Sequence, residues 1–145
     1  MELLITLSFG LVILLPVVFL AFLHIASSTS SLSVTEAQSA ATKLATIATQ
    51  VGSQGPPARF LVLIQVPPNV RNVTVGTANN TVGHVITFVV STDAGLDYVT
   101  AYTPVNVSGY LEEIASTGSY LINVSAQDSC PSNAAVSCVY ISRAA

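Results

Sequence analysis

Hydrophobic and polar positions divide the chain into three stretches with different periodicities. The first, Leu3 to Ile25, is 23 residues of mainly Leu, Ile, Val and Phe without a charged side chain. A helix of that length, rising about 1.5 Å per residue, crosses a hydrocarbon layer of about 30 Å. The stretch therefore predicts a helix that is apolar on every side and has to be buried on every side.

The second stretch has the three-and-four spacing of an amphipathic helix. Its apolar positions are Val34, Ala37, Ala41, Leu44, Ala45, Ala48 and Val51, and the opposite face carries Glu36, Gln38, Ser39, Lys43, Thr46 and Gln50. Gly52, Gly55, Pro56 and Pro57 signal the end of the helix. Residues 27–33 are rich in Ser, whose hydroxyl competes for backbone hydrogen bonds. If they stay helical, residues 1–53 form one helix about 80 Å long.

The third stretch reads as β-strands joined by turns. Runs rich in Val, Ile, Thr, Tyr and Phe lie at 58–66, 71–75, 84–90, 97–103, 119–126 and 136–142. Six strands at this spacing predict a small antiparallel sandwich or barrel, with residues 111–115 as one helical turn or a bulged edge. We expect an α+β chain: a long N-terminal helix over residues 1–54 and a β-rich head over residues 58–145.

Composition and charge limit the partners of the chain. Its 145 residues, 51% hydrophobic and 8% charged, leave room for one domain and one long element. No Asp, Glu, Lys or Arg lies between Glu2 and Glu36. The four basic residues are scattered, which argues against binding to nucleic acid.

Two cysteines and four sequons suggest an exported head. Cys130 and Cys138 lie close together, and in an exported chain we expect them to form a disulfide rather than two buried thiols. The N-x-[ST] pattern occurs at Asn72, Asn79, Asn106 and Asn123. These asparagines are candidate N-glycosylation sites or simply solvated strand and turn residues.

No catalytic constellation emerges from the sequence. His24 and His84 lie in different stretches, and no phosphate loop, H-E-x-x-H or G-x-S-x-G motif occurs. Asp93 and Asp97 flank a turn that favours solvated carboxylates over a weak calcium site. We therefore expect no enzyme activity, no cofactor and no metal.

Three explanations of the apolar stretch compete. A secretory signal peptide fits badly, because such peptides start with a basic region and keep the apolar part to about 7–15 residues. A single-pass anchor of an ectodomain fits the length but normally carries Lys or Arg on its cytoplasmic side. Identical helices packed around a common axis would also bury the stretch on every side.

The acidic residue before the apolar run, the amphipathic continuation and the β-rich head resemble the type IV pilin superfamily. The run "MELLITLSFGLVILLPVVFLAF" is more similar to archaeal pilins, which share an all-β, immunoglobulin-like head with archaellins, than to bacterial pilins. The resemblance implies the structural subunit of an extracellular, adhesive filament. The missing basic flank then corresponds to a leader that has been removed.

The same resemblance implies partners and assembly residues. Subunits wait in the membrane after a prepilin peptidase has trimmed them, and an assembly ATPase with a platform protein extrudes them as a helical homopolymer on the cell surface. Glu2 would pair with the N-terminal amine of a neighbouring subunit. The other expected core residues are Leu3, Phe9, Leu14, Pro16, Phe19 and Phe22. The alternatives are the subunit of an archaellum-type motility filament and the membrane-anchored ectodomain.

Overall fold

A computed structural model describes residues 1–144 of the chain, except for the side chains of residues 26 and 27. One helix is followed by six strands: α1 (Glu2–Gln54), β1 (Arg59–Val66), β2 (Val70–Val75), β3 (Gly83–Thr92), β4 (Gly95–Tyr110), β5 (Gly118–Gln127) and β6 (Cys138–Arg143). The chain divides into two compact units, Met1–Leu32 and Ser33–Ala145. The α+β class is thus confirmed.

Helix α1 continues through the Ser-rich stretch and through Pro16. The hydroxyl of Ser28 donates to the carbonyl of His24 at 2.9 Å, and that of Thr29 donates to the carbonyl of Ile25 at 2.9 Å. These bonds run to the carbonyl four residues back, so the hydroxyls here do not draw the backbone out of the helix. The single long helix is confirmed.

All six strands lie in one sheet, in the order β1-β5-β6-β4-β3-β2. Every pairing is antiparallel except that of β4 with β6, which run parallel over four residue pairs from Val107–Val139 to Tyr110–Ser142. The six predicted strands are all present. The two-layer immunoglobulin-like sandwich that the resemblance implies is not confirmed.

Strand β4 is longer than its sequence suggests. It continues past Pro104 because the pairing with β3 is interrupted there: Val85 lies opposite Tyr102, but Gly83 lies opposite Val107. The extra residues form a bulge, which accommodates a proline that cannot donate to a ladder. Residues 111–115 form a turn closed by the amide of Ile114 and the carbonyl of Leu111, 3.0 Å apart, with both side chains buried.

The core of the second unit combines one face of the helix with one face of the sheet. The helix contributes Ala37, Ala40, Ala41, Leu44, Ala45, Ala48 and Val51, all buried. Near the helix end Gly52 lies so close to Val105 that an added Cβ would come within 2.8 Å of that side chain. Small residues on the packed face thus let α1 lie close to the strands. The amphipathic face predicted from the sequence is confirmed.

Lys43 connects the polar side of the helix to the edge of the sheet. Its ammonium group donates to the carbonyl oxygen of Leu63 at 3.0 Å. Strand β1 is an edge strand, and such a strand presents unpaired backbone groups that can recruit a foreign strand. The lysine satisfies one of these carbonyls and places a charge on the edge, so it protects β1 against pairing with another chain.

The two cysteines form the predicted disulfide. Cys130 and Cys138 are bonded, with their Cα atoms 5.6 Å apart, and both are buried. The closed loop contains a short bridge between Cys130 and Asn133. Because β6 begins at Cys138, the bond fixes the start of the strand that joins β4 to β5.

Replacing Cys130 with Ser is expected to lower the free energy of unfolding of the head by about 2–4 kcal/mol, because the bond restrains the unfolded chain. Thermal melting of the purified protein measures this. Reducing agent should bring the wild type down to the melting temperature of Cys130→Ser and leave the variant unchanged. A variant that melts together with the oxidised wild type would contradict the role given to the bond.

Candidate assembly surface

The N-terminal unit exposes an apolar surface on all sides of the helix. Every Leu, Ile, Val and Phe side chain from Leu3 to Ile25 is more than half exposed, from 51% for Leu11 to 78% for Leu3. A soluble protein normally buries such side chains, and fully burying one is worth about 1.5–3 kcal/mol. The predicted assembly residues Leu3, Phe9, Leu14, Phe19 and Phe22 all belong to this surface, which we call the apolar surface.

The length and composition of this helix also suit a membrane. Within residues 1–144 it is the one helix that is both long enough and apolar enough to cross a bilayer, and no residue in its most apolar stretch is buried. A buried core helix of a soluble protein would pass the same criteria with its side chains covered. The chain thus carries a candidate membrane anchor.

Glu2 provides the one charged side chain at the start of the apolar surface. It lies in the first turn of α1, where the partial positive charge of the helix favours a carboxylate. The neighbouring Thr6 hydroxyl lies within bonding distance of two carbonyls, those of Glu2 at 3.0 Å and Leu3 at 3.1 Å. Thr6 therefore satisfies its own polarity inside the helix, whereas the Glu2 side chain is exposed at the start of the helix.

Pro16 lies beside a shallow apolar depression of about 600 Å³. The depression is lined by Leu15, Pro16, Val18, Phe19, Phe22 and Leu23. A proline inside a helix donates no amide to the carbonyl four residues before it, here that of Val12. In lipid or between packed helices this defect is tolerated. The depression has the size and polarity to receive side chains of a neighbouring helix.

The titratable groups do not assemble into a metal centre within the part of the chain that the structure describes. No group of three or more His, Cys, Asp or Glu side chains suitable for a metal is found there. Asp93 lies in the hairpin turn between β3 and β4 and Asp97 lies on β4, and both are exposed. His84 bonds the carbonyl of Val105 through Nδ1 at 3.1 Å. The absence of enzyme activity stays a prediction.

One electrostatic effect stands out in the head. The negative charge of Glu112, together with its hydrogen bond to the phenol, raises the pKa of Tyr110 above the ordinary value. Glu112 also accepts a hydrogen bond at 3.0 Å from the side-chain amide of Asn80. Both contacts are exposed, and the bond from Asn80 joins the turn after β4 to the turn that follows β2.

The four sequons occupy two kinds of position. Asn79 lies exposed in the turn between β2 and β3, whereas Asn72, Asn106 and Asn123 lie on strands. In each strand sequon the middle residue is a valine that is at most 1% exposed: Val73, Val107 and Val124. The alternation of a β-strand therefore generates these motifs, with valine in the core and the acceptor turned away from it.

Exposed apolar side chains on the head were not predicted. Leu61, Leu63 and Leu121, and separately Tyr98 and Tyr102, are between 42% and 71% exposed. The sequence carries a signal for the first group, because residues 60–64 are apolar without interruption and a strand cannot bury both faces under one helix.

Comparison of the chain with protein-family models, curated proteins and solved structures gives no match. The resemblance to type IV pilins therefore stays a prediction from the residues quoted for it.

Proposed function

We propose that the chain is the structural subunit of an extracellular filament of the type IV pilus kind. Residues 3–25 lie in the membrane before assembly and in the filament core afterwards, and the head faces water. The observation that carries the proposal is the apolar surface, a helix with no covered side between Leu3 and Ile25. Its adhesive role follows the resemblance alone.

The amphipathic half of α1 supports the separation of a filament-core segment from a water-facing head. Its apolar face is fully used inside the head, where Ala37, Ala41 and Leu44 are at most 1% exposed. The all-round apolar half therefore needs partners of its own. Lipid and neighbouring helices both provide them, so the surface stays out of water before and after assembly.

The preference for a filament over the bilayer has to come from packing. Lipid tails are as apolar as leucine, so transferring the helix from lipid to a bundle gains little from the hydrophobic effect. Three features differ between lipid and a helix bundle: close packing, the filling of the depression at Pro16 and a partner for Glu2. Residues 2 and 16 are therefore proposed as assembly residues.

A single-pass anchor of a binding ectodomain is the second candidate, supported by the same helix. Shearing of intact cells followed by ultracentrifugation separates the two. A filament subunit is expected in the sheared supernatant as a high-molecular-mass species that sediments without detergent. Recovery solely as detergent-extracted monomers from the membrane fraction would contradict the filament and favour the anchor.

A further inference from the structure

The outer face of the sheet, opposite the helix, carries two apolar patches. The tyrosine patch consists of Val89, Tyr98 and Tyr102, and the leucine patch consists of Leu61, Leu63 and Leu121. Tyr98 and Tyr102 are 64% and 71% exposed, and the three leucines are 42% to 55% exposed. Contiguous exposed apolar patches usually mark a surface that something else covers.

Asn72 lies beside the tyrosine patch. It is paired with Val89 on β3, and Val89 is paired with Tyr98 on β4. Residues paired directly across strands point to the same face, and neighbouring strands lie about 4.8 Å apart. The Asn72 side chain is therefore about 10 Å from Tyr98, on the same outer face.

Asn123 has the same relation to the leucine patch. It is paired with Leu61 on β1, and Leu121 lies two residues before it on the same face of β5. Its Oδ1 accepts a hydrogen bond from Nε of Arg59 at 2.7 Å. This bond fixes the amide so that the carbonyl side is occupied and Nδ2 remains available for a covalent bond.

Asn106 shows the opposite arrangement. Its Nδ2 donates to the carbonyl of Ser137 at 3.3 Å, and the sequon hydroxyl of Ser108 is 2% exposed and bonds the carbonyl of Asn80 at 3.2 Å. Both groups that define the acceptor are thus engaged in hydrogen bonds to the head, the Asn106 bond at the surface and the Ser108 bond partly buried. The sequence pattern alone does not separate this sequon from the other two strand sequons.

We propose that Asn72 and Asn123 carry N-linked glycans whose first sugars pack over the tyrosine patch and the leucine patch. A sugar ring has a C–H face that covers apolar side chains and a rim of hydroxyls that stays hydrated. The tyrosine patch is bordered by further hydrogen-bonding side chains on the same face: Thr74, Thr87 and Thr100, which are paired across β2, β3 and β4. The glycans would thus convert both patches into a hydrated surface.

The modification needs a sugar donor of the lipid-linked oligosaccharide diphosphate class outside the membrane. The asparagine Nδ2 bonds to the anomeric carbon, the bond from that carbon to the diphosphate oxygen breaks, the lipid diphosphate leaves and Nδ2 releases one proton. The proposal rests on the export of the head that the proposed function includes. It does not require that the exported chain form a filament.

Tandem mass spectrometry of peptides from the protein purified from the cells that produce it tests the assignment. Peptides containing Asn72 and Asn123 are expected to carry a glycan, and the peptide containing Asn106 is expected to be unmodified. Unmodified Asn72 and Asn123, or a glycan on Asn106, would overturn the proposal. Filaments built from an unmodified chain would overturn the glycan proposal and leave the proposed function intact.

Thermal melting tests the packing separately from the occupancy. Enzymatic removal of the glycans is expected to lower the melting temperature of the head by about 4–8 °C, the shift that corresponds to roughly 1 kcal/mol in a domain of this size. The double variant Tyr98→Ser, Leu121→Ser changes two exposed positions. In this variant, removal of the glycans should lower the melting temperature by less than half of the wild-type shift. Equal losses in the variant and the wild type would overturn the contact with the patches.

Discussion

Val18→Asp is expected to abolish filament assembly. Val18 is 52% exposed and lines the depression beside Pro16. A carboxylate in the middle of an apolar helix costs about 2.5–3.5 kcal/mol in a membrane by insertion scales, and it fits no better between packed helices. Every subunit in the filament would carry this cost. Negative-stain electron microscopy and immunoblotting of sheared material measure the loss.

Two variants separate assembly from folding in this experiment. Val18→Ala removes bulk but keeps the surface apolar, so it should still give filaments. Leu96→Asp puts the same carboxylate on an aliphatic position that is 55% exposed in the head, and it should assemble normally. Filaments of Val18→Asp at the wild-type yield would contradict the placement of the apolar surface in the core.

Glu2→Ala is expected to reduce filament yield ten- to a hundredfold without changing the melting temperature of the head. A hydrogen bond to a charged group contributes about 1.5–3 kcal/mol, and each 1.4 kcal/mol corresponds to a factor of ten. Glu2 is the one charged side chain of the apolar stretch and its surroundings up to Glu36. Its loss therefore removes the carboxylate that would pair with the N-terminal amine of a neighbouring copy.

Charge-retaining and charge-removing substitutions distinguish pairing from helix effects. Glu2→Asp keeps the carboxylate in the first turn and should retain most of the assembly, whereas Glu2→Gln should fall with Glu2→Ala. Quantitative immunoblots of sheared filaments against membrane-bound subunits give the ratio. Wild-type yield from Glu2→Gln would rule out the ionic pairing.

The helix was predictable from the sequence, including its buried face. The spacing of Ala37, Ala41, Leu44 and Ala48 identifies the side that packs in the head, and burial follows it closely. Less predictable was the behaviour of the Ser-rich stretch, since hydroxyls either break a helix or bond within it. The bonds from Ser28 and Thr29 to carbonyls four residues back show the second outcome.

The six strands were also predictable, but their arrangement was not. The alternation of apolar and polar residues is a local signal and does not say which strands become neighbours. Strand β6 lies between β4 and β5, and its parallel pairing with β4 depends on how the chain returns to the sheet. The two-layer sandwich expected from the strand pattern is not confirmed, because the six strands lie in one sheet and the helix packs on it as a layer. Since the alanine-rich face of α1 fills one side of the core, the sheet needs no second sheet to cover that face.

The candidate surfaces differ in how far the sequence reveals them. The apolar surface is evident from composition, because a run of 23 residues from Leu3 to Ile25 without charge is long enough to cross a bilayer. The difference between Asn106 and the other strand sequons is invisible in the sequence, because it depends on contacts with Ser137 and Asn80 from distant parts of the chain.

Electron cryomicroscopy of material sheared from cells tests the central proposal most directly. We expect filaments about 6–10 nm wide, a width set by a helical core and one shell of domain-sized heads, in which residues 3–25 of neighbouring copies contact one another around the axis. Sheared material without such filaments, or filaments whose helices 3–25 lie apart from one another, would contradict it.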